Sequence, residues 1–173
     1  MNEASRRHIA DTMGRMRALF EARPSAARVE GAPATAVMGD GMLCEVTGPQ
    51  GERIRCDLSP AAGGDGTAPG PGWYLRASMA ACTAMLLQQR AAELGIALES
   101  LQVHVEGGVD LRGAFGFPDA ERTMQGLRMA IRVKAAAADR ERAEAAARWA
   151  AEHSPTVATV RQGAPCEVRV EPA

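Results

Sequence analysis

Apolar positions recur at two different periods along this chain, and each change of period marks an element. Residues 3 to 22 carry Ile9, Met13, Met16 and Phe20 at three- and four-residue steps with arginines between them, which predicts an amphipathic helix ended by Pro24. From Ala34 the period drops to two: Ala34 to Met38, Met42 to Val46 and Arg53 to Leu58 read as strands, with a hairpin turn at Gly48-Pro49-Gln50-Gly51. Ile54, Cys56 and Leu58 share one strand face, and Cys44 shares a face with Met42 and Val46, so both cysteines read as core residues. The stretch AAGGDGTAPGPG, Ala61 to Gly72, fits neither period and delivers the chain to the next helix, with Pro71 near that helix's first turn. Gly72 to Leu94 is then apolar on nearly every side, the pattern of a buried helix with Cys82 at its centre.

Beyond Gly95, a good helix C-cap, Leu101, Val103 and Val105 alternate with Gln102, His104 and Glu106 in a half-buried strand. Gly107 to Pro118 reads as a turn or an irregular strand extension, and Leu127, Met129, Ile131 and Val133 as a further strand. Asp139 is a credible N-cap for a helix whose Ala143, Ala146, Ala147 and Ala150 form a narrow stripe suited to close approach of the central helix. Ser154-Pro155 opens a short helix closed by Gly163, and Cys166, Val168 and Val170 alternate as a last strand. The order predicts an α+β domain with helices gathered on one face of mainly antiparallel sheet. Residues 1–30 read as an N-terminal helical extension and 31–173 as the domain proper.

Composition narrows the functional classes. With 20 basic and 21 acidic residues the chain lacks the strongly basic face of a nucleic-acid binder. No apolar run reaches the ~18 residues of a membrane span, and no secretory signal follows the first methionine, so a cytoplasmic protein is expected. The four cysteines, at 44, 56, 82 and 166, are widely spaced and expected as free thiols, and neither a metal nor a cofactor is expected.

The chemistry then falls to Cys82. Ser78, Met79, Met85 and Leu86 lie three or four residues from it, so the thiol shares a helix face with thioethers and a leucine. A thiol in such surroundings is pushed above its free value of about 8.5 unless a cation is close. Arg76 points away around the helix, and Arg90 is about 12 Å further along its axis. A sluggish nucleophile is expected unless an arginine such as Arg161, or one from a second chain, approaches.

Three segments together resemble the OsmC/Ohr family of osmotically induced and organic-hydroperoxide-resistance proteins. They are CDLSPAAGGDGTAPGPGWYLRASMAACTAM from Cys56, LQVHVEGGVD from Leu101 and AEHSPTVATVRQG from Ala151. The resemblance implies mainly antiparallel sheet wrapped around two central helices, in an intertwined homodimer with its sites between chains. It also implies that Cys82 matches the cysteine that a hydroperoxide oxidises. Ser154 stands where the family's second, resolving cysteine is expected, and the family's activating arginine and glutamate are absent at Met38 to Gly41 and at Ala61-Ala62. Two functions follow as expectations. One is handling of organic hydroperoxides or electrophiles by a single cysteine with an external thiol reductant. The other is a catalytically degenerate protein holding a small apolar ligand at the dimer interface, among Met79, Cys82, Met85 and Leu86, with Ser154 only a helix cap.

Overall fold

Pro71–Glu93 forms the longest helix, α2, in a computed structural model that describes residues 1–171. The elements in order are α1 (Glu3–Ala22), β1 (Thr35–Met38), β2 (Cys44–Thr47), β3 (Arg53–Cys56), α2, β4 (Leu98–Val109), α3 (Leu111–Ala114), β5 (Met124–Ala135), α4 (Arg140–His153) and α5 (Pro155–Gln162). Strands β1-β2-β3 make one antiparallel sheet and β4-β5 a second. The chain divides into two compact units, Gly14–Ala77 and Met1–Met13 with Ser78–Ala173, and the boundaries fall within α1 and α2. Of the expected domain, positions 172 and 173 lie outside the described residues.

In the smaller unit, the β2-β3 hairpin turns through Gly48 to Glu52, closed by a 3.0 Å bond from the Gly48 N–H to the Glu52 carbonyl. Gly51, at φ 90°, takes the left-handed conformation that a three-residue hairpin loop requires. After β3 the chain enters a loop, residues 57–70, organised by Asp57. Its carboxylate accepts from the Leu58 N–H at 2.7 Å and from both the N–H and the hydroxyl of Thr67 at 2.8 Å. Those donors, Thr67 first, hold the Asp57 carboxyl below the usual carboxylate range against the opposing effect of burial. A folded-state pKa depressed in this way stabilises the loop above the ordinary Asp value and ceases to do so as pH falls through the lowered one. The glycine-rich composition has a local cause: a Cβ on Gly64 would lie 2.1 Å from the Leu58 carbonyl oxygen.

In the larger unit, α2 buries one stripe at four-residue steps, Met79, Thr83, Leu87 and Ala91. Leu87 packs against Ala146, Ala147 and Ala150 of α4, and the small side chains let the two helices approach, as the alanine stripe predicts. Leu101, Ile131 and Val133 of the β4-β5 sheet close over this cluster. The sheet register, Leu101 to Val133 and Val103 to Ile131, keeps these residues on one face, with Gln102, His104 and Arg132 on the other. Helix α2 ends in a Schellman motif: Ile96 N–H bonds the Ala91 carbonyl at 2.8 Å, Gly95 N–H bonds that of Ala92, and Gly95 lies at φ 71°.

Three expectations are corrected. Helix α2 is buried along one stripe and not all round, with Met85 66% exposed. Asp139 precedes α4 without capping it through its side chain, which instead pairs with Arg142. Cys166, Val168 and Val170 form no strand, because no sheet edge within the chain pairs with them, and Val170 is 94% exposed.

Thr83 is fully buried and its hydroxyl lacks a hydrogen-bond partner. Replacing it by the near-isosteric valine removes an unsatisfied polar group, so Thr83→Val is expected to stabilise the fold by about 1 kcal/mol. Thermal unfolding should register this as a rise of roughly 2–4 °C in Tm.

Candidate functional site

Helix α4 ends at His153, Ser154 links it to α5, and Pro155 occupies the first turn of α5, where a missing N–H carries no penalty. Ser154 sits at the N-cap position with extended backbone, yet its side chain makes no capping bond. Its fully buried hydroxyl lies 3.2 Å from the Thr156 hydroxyl and favours the thiolate form of the nearby Cys82. Thr156 acts in the same direction through its backbone N–H and its hydroxyl. The Thr156 N–H belongs to the first turn of α5, where amides have no partner within the helix and the helix dipole is positive. The half-buried Cys82 thiol thus faces three donors and the favourable end of a helix.

This reverses the expected electrostatics. Burial is the largest single influence and pushes the Cys82 thiol up. The Ser154 hydroxyl and the two Thr156 donors together outweigh it, and the thiol lies below its ordinary value. Hydrogen bonds do here what the sequence reading sought from an arginine. Arg90 is occupied elsewhere, 3.1 Å from Glu93 and 4.9 Å from the centre of the Trp149 ring. Trp149 in turn stacks on His153 at 4.3 Å, and His153 Nδ1 lies 2.8 Å from the Trp149 carbonyl. This stack ties α2 to the last turn of α4, immediately before Ser154.

The other residues singled out in the sequence are dispersed. Met79 is buried and borders a cavity of about 220 Å³, with Val157, Arg128 and Arg161 among its walls. Met85 lines a different, open groove of about 460 Å³ between the first half of α1 and α2, together with Ile9, Met13 and Leu101. Leu86 packs against the Leu87 and α4 alanine cluster. Ser154 and Cys82 are the pair brought together. Thr156 was missed, and the signal for it was available: a threonine at the second position of a Ser-Pro-initiated helix carries both an unpaired amide and a hydroxyl. Among the described residues, no cluster of three or more His, Cys, Asp or Glu side chains could hold a metal ion, and no helix is long and apolar enough to cross a membrane.

A family model described as OsmC-like protein matches residues 64–169, a span that contains Cys82, Ser154 and Thr156. The chain belongs to the OsmC-like family. Among solved structures it is similar to the organic hydroperoxide resistance protein OsmC of Legionella pneumophila, at 21% identity and a TM-score of 0.56, covering 78% of this chain and 91% of that one. It is also similar to an OsmC-like protein of Mycoplasma pneumoniae, at 17% identity and TM-score 0.62, over 78% and 89% of the two chains. An organic hydroperoxide resistance protein of Elizabethkingia anophelis matches at 17% identity and TM-score 0.53, over 77% and 90%. At these identities the likeness establishes the α+β OsmC fold. A search among curated proteins returned no match.

The site yields a pH prediction. Because the Cys82 thiol is held below its ordinary value, the rate of its alkylation by iodoacetamide should reach half its plateau at a pH below that of a free cysteine. Ser154→Ala, which removes one donor to the thiolate, should move that midpoint upward and slow alkylation at neutral pH by roughly three- to tenfold. Mass spectrometry of the Cys82 peptide across a pH series measures both.

Proposed function

We propose that this OsmC-like protein reduces organic hydroperoxides through Cys82 alone, with an external thiol as reductant. The reading is supported by the placement of the half-buried Cys82 thiol beside Ser154 and Thr156 at the amino end of α5, a polar setting that favours the thiolate, the nucleophilic form. The thiolate attacks the terminal peroxide oxygen, the O–O bond breaks, and an alcohol leaves as Cys82 becomes a sulfenic acid. A small or protein thiol then displaces water to form a mixed disulfide, and a second thiol releases Cys82. Ser154 can donate a hydrogen bond to the sulfenate but, lacking sulfur, cannot bridge it. Electrophiles reach the same thiolate by direct addition. Such a cycle needs a thiol-rich, reducing compartment, in keeping with a cytoplasmic location.

The competing reading, apolar ligand binding without chemistry, has the groove beside Met85 in its favour. It ranks second because Ser154, which that reading makes a helix cap, makes no capping bond. A homodimer belongs to the proposal too: a single chain leaves Met85, Trp73, Phe115 and Phe117 half or more exposed, large apolar groups that a second copy would cover. Light scattering should accordingly give twice the chain mass, and a monodisperse monomer would contradict this part.

The central test is consumption of tert-butyl hydroperoxide with glutathione or dithiothreitol. The unsubstituted protein should turn over with either thiol, and Cys82→Ser should lose most of that rate; equal rates for the two would sink the reading. Ser154→Cys places a thiol where the hydroxyl now meets the Cys82 sulfur. In that variant peroxide should produce an intramolecular disulfide to Cys82, seen as loss of both thiols without dimer cross-linking, and turnover should favour the dithiol reductant.

A further inference from the structure

The three-stranded sheet holds a second pair of thiols that the site at Cys82 does not use. Cys44 of β2 and Cys56 of β3 are directly opposite one another in the antiparallel register. The bond from Gly48 N–H to the Glu52 carbonyl fixes the alternation of the ladder. Counting by two from that pair makes Val46–Ile54 and Cys44–Cys56 hydrogen-bonded pairs as well, whose Cα atoms stand about 5.5 Å apart. That separation falls within the ~4.4–6.8 Å that a disulfide spans. Residues paired across a ladder point to the same face, so both thiols leave the sheet on one side, in a row with Met38 of β1. Their closeness is also electrostatic, since burial and then the neighbouring Cys44 both push the Cys56 thiol up. Cys56 is 7% exposed, whereas Cys44 is half-buried and the more accessible of the two.

We infer that Cys44 and Cys56 form a second redox site, a cross-strand dithiol that an organic hydroperoxide oxidises to a disulfide and a small thiol reduces again. The peroxide oxidises the accessible Cys44 to a sulfenic acid and leaves as its alcohol. The Cys56 sulfur then attacks the Cys44 sulfur and water departs, so two thiols lose two electrons and two protons in all. Two molecules of a monothiol reverse the step through a mixed disulfide. Cys56 is followed directly by Asp57, the anchor of the 57–70 loop, so the bridge would pin the strand end from which that loop springs.

The test uses the full chain carrying Cys82→Ser, so that failure at Cys82 and failure here are read separately, with the unsubstituted chain run in parallel. Each is treated with stoichiometric tert-butyl hydroperoxide, blocked with an alkylating agent and digested with trypsin. Cleavage after Arg53 and Arg55 separates the two cysteines, so a bridge appears as a linked pair of peptides, residues 29–53 with 56–76. The expected result in the Cys82→Ser protein is loss of two alkylatable thiols per chain, this linked pair within one chain with no disulfide-linked dimer at any protein concentration, and reversal by glutathione; the unsubstituted chain, given a further equivalent of peroxide for Cys82, should yield the same linked pair. Cys56→Ala should abolish the pair and leave Cys44 as a sulfenic acid that dimedone traps. The inference is overturned if Cys44 and Cys56 remain alkylatable, if either pairs instead with Cys166 or a second chain, or if Cys44 stops at the sulfenic acid with Cys56 present.

Discussion

Close contact between the buried stripe of α2 and the alanines of α4 is the constraint on which the larger unit depends. Leu87 fits against Ala146, Ala147 and Ala150 because those positions offer only methyl groups. Larger side chains would separate the helices and strain a core packed near crystal density. The same contact fixes where α4 ends relative to α2, and hence where Ser154 and Thr156 stand. The Arg90, Trp149 and His153 stack secures the junction at the turn before Ser154. Packing thereby determines electrostatics: the thiol at Cys82 meets donors because two helices meet at alanine distance.

The balance at that thiol can be followed in magnitudes. A hydrogen bond to a charged group contributes about 1.5–3 kcal/mol, and one pKa unit corresponds to about 1.4 kcal/mol. The polar groups of Ser154 and Thr156 together outweigh the burial of a group that remains half accessible. A charged partner is one route to a thiolate; a hydroxyl pair and the amide end of a helix are another.

Much of this was legible in the sequence. The helical period of residues 3–22 and 72–94, the hairpin at Gly48 to Gly51, the Gly95 cap and the alanine stripe all appear where the pattern places them, since each is a local rule expressed in a few neighbouring residues. Alternation at Cys166, Val168 and Val170 misled, because period two marks a chain able to join a sheet and says nothing of whether an edge is there to receive it. Expecting α2 to be buried all round confused apolar composition with apolar surroundings. The direction at Cys82 was missed for a different reason. Helical neighbours at three and four residues were visible, but Ser154 lies more than seventy residues away in the chain, and only the tertiary fold brings its hydroxyl to the sulfur. The opposition of Cys44 and Cys56 was implicit in the hairpin: once the turn is set, the register follows by counting.

The four-residue spacing of the α2 stripe carries a consequence for how such a chain can vary. Cys82 lies about 100° around the helix from Thr83, just off the buried face and just beside it. A single-residue deletion anywhere between Met79 and Cys82 would leave composition and helix propensity almost untouched, yet it would turn the thiol by that same angle relative to the residues that precede it. The helix could then keep its packing on the α4 alanines or its alignment at the amino end, but not both. The length of the segment from Met79 to Leu87 is held fixed by two partners at once.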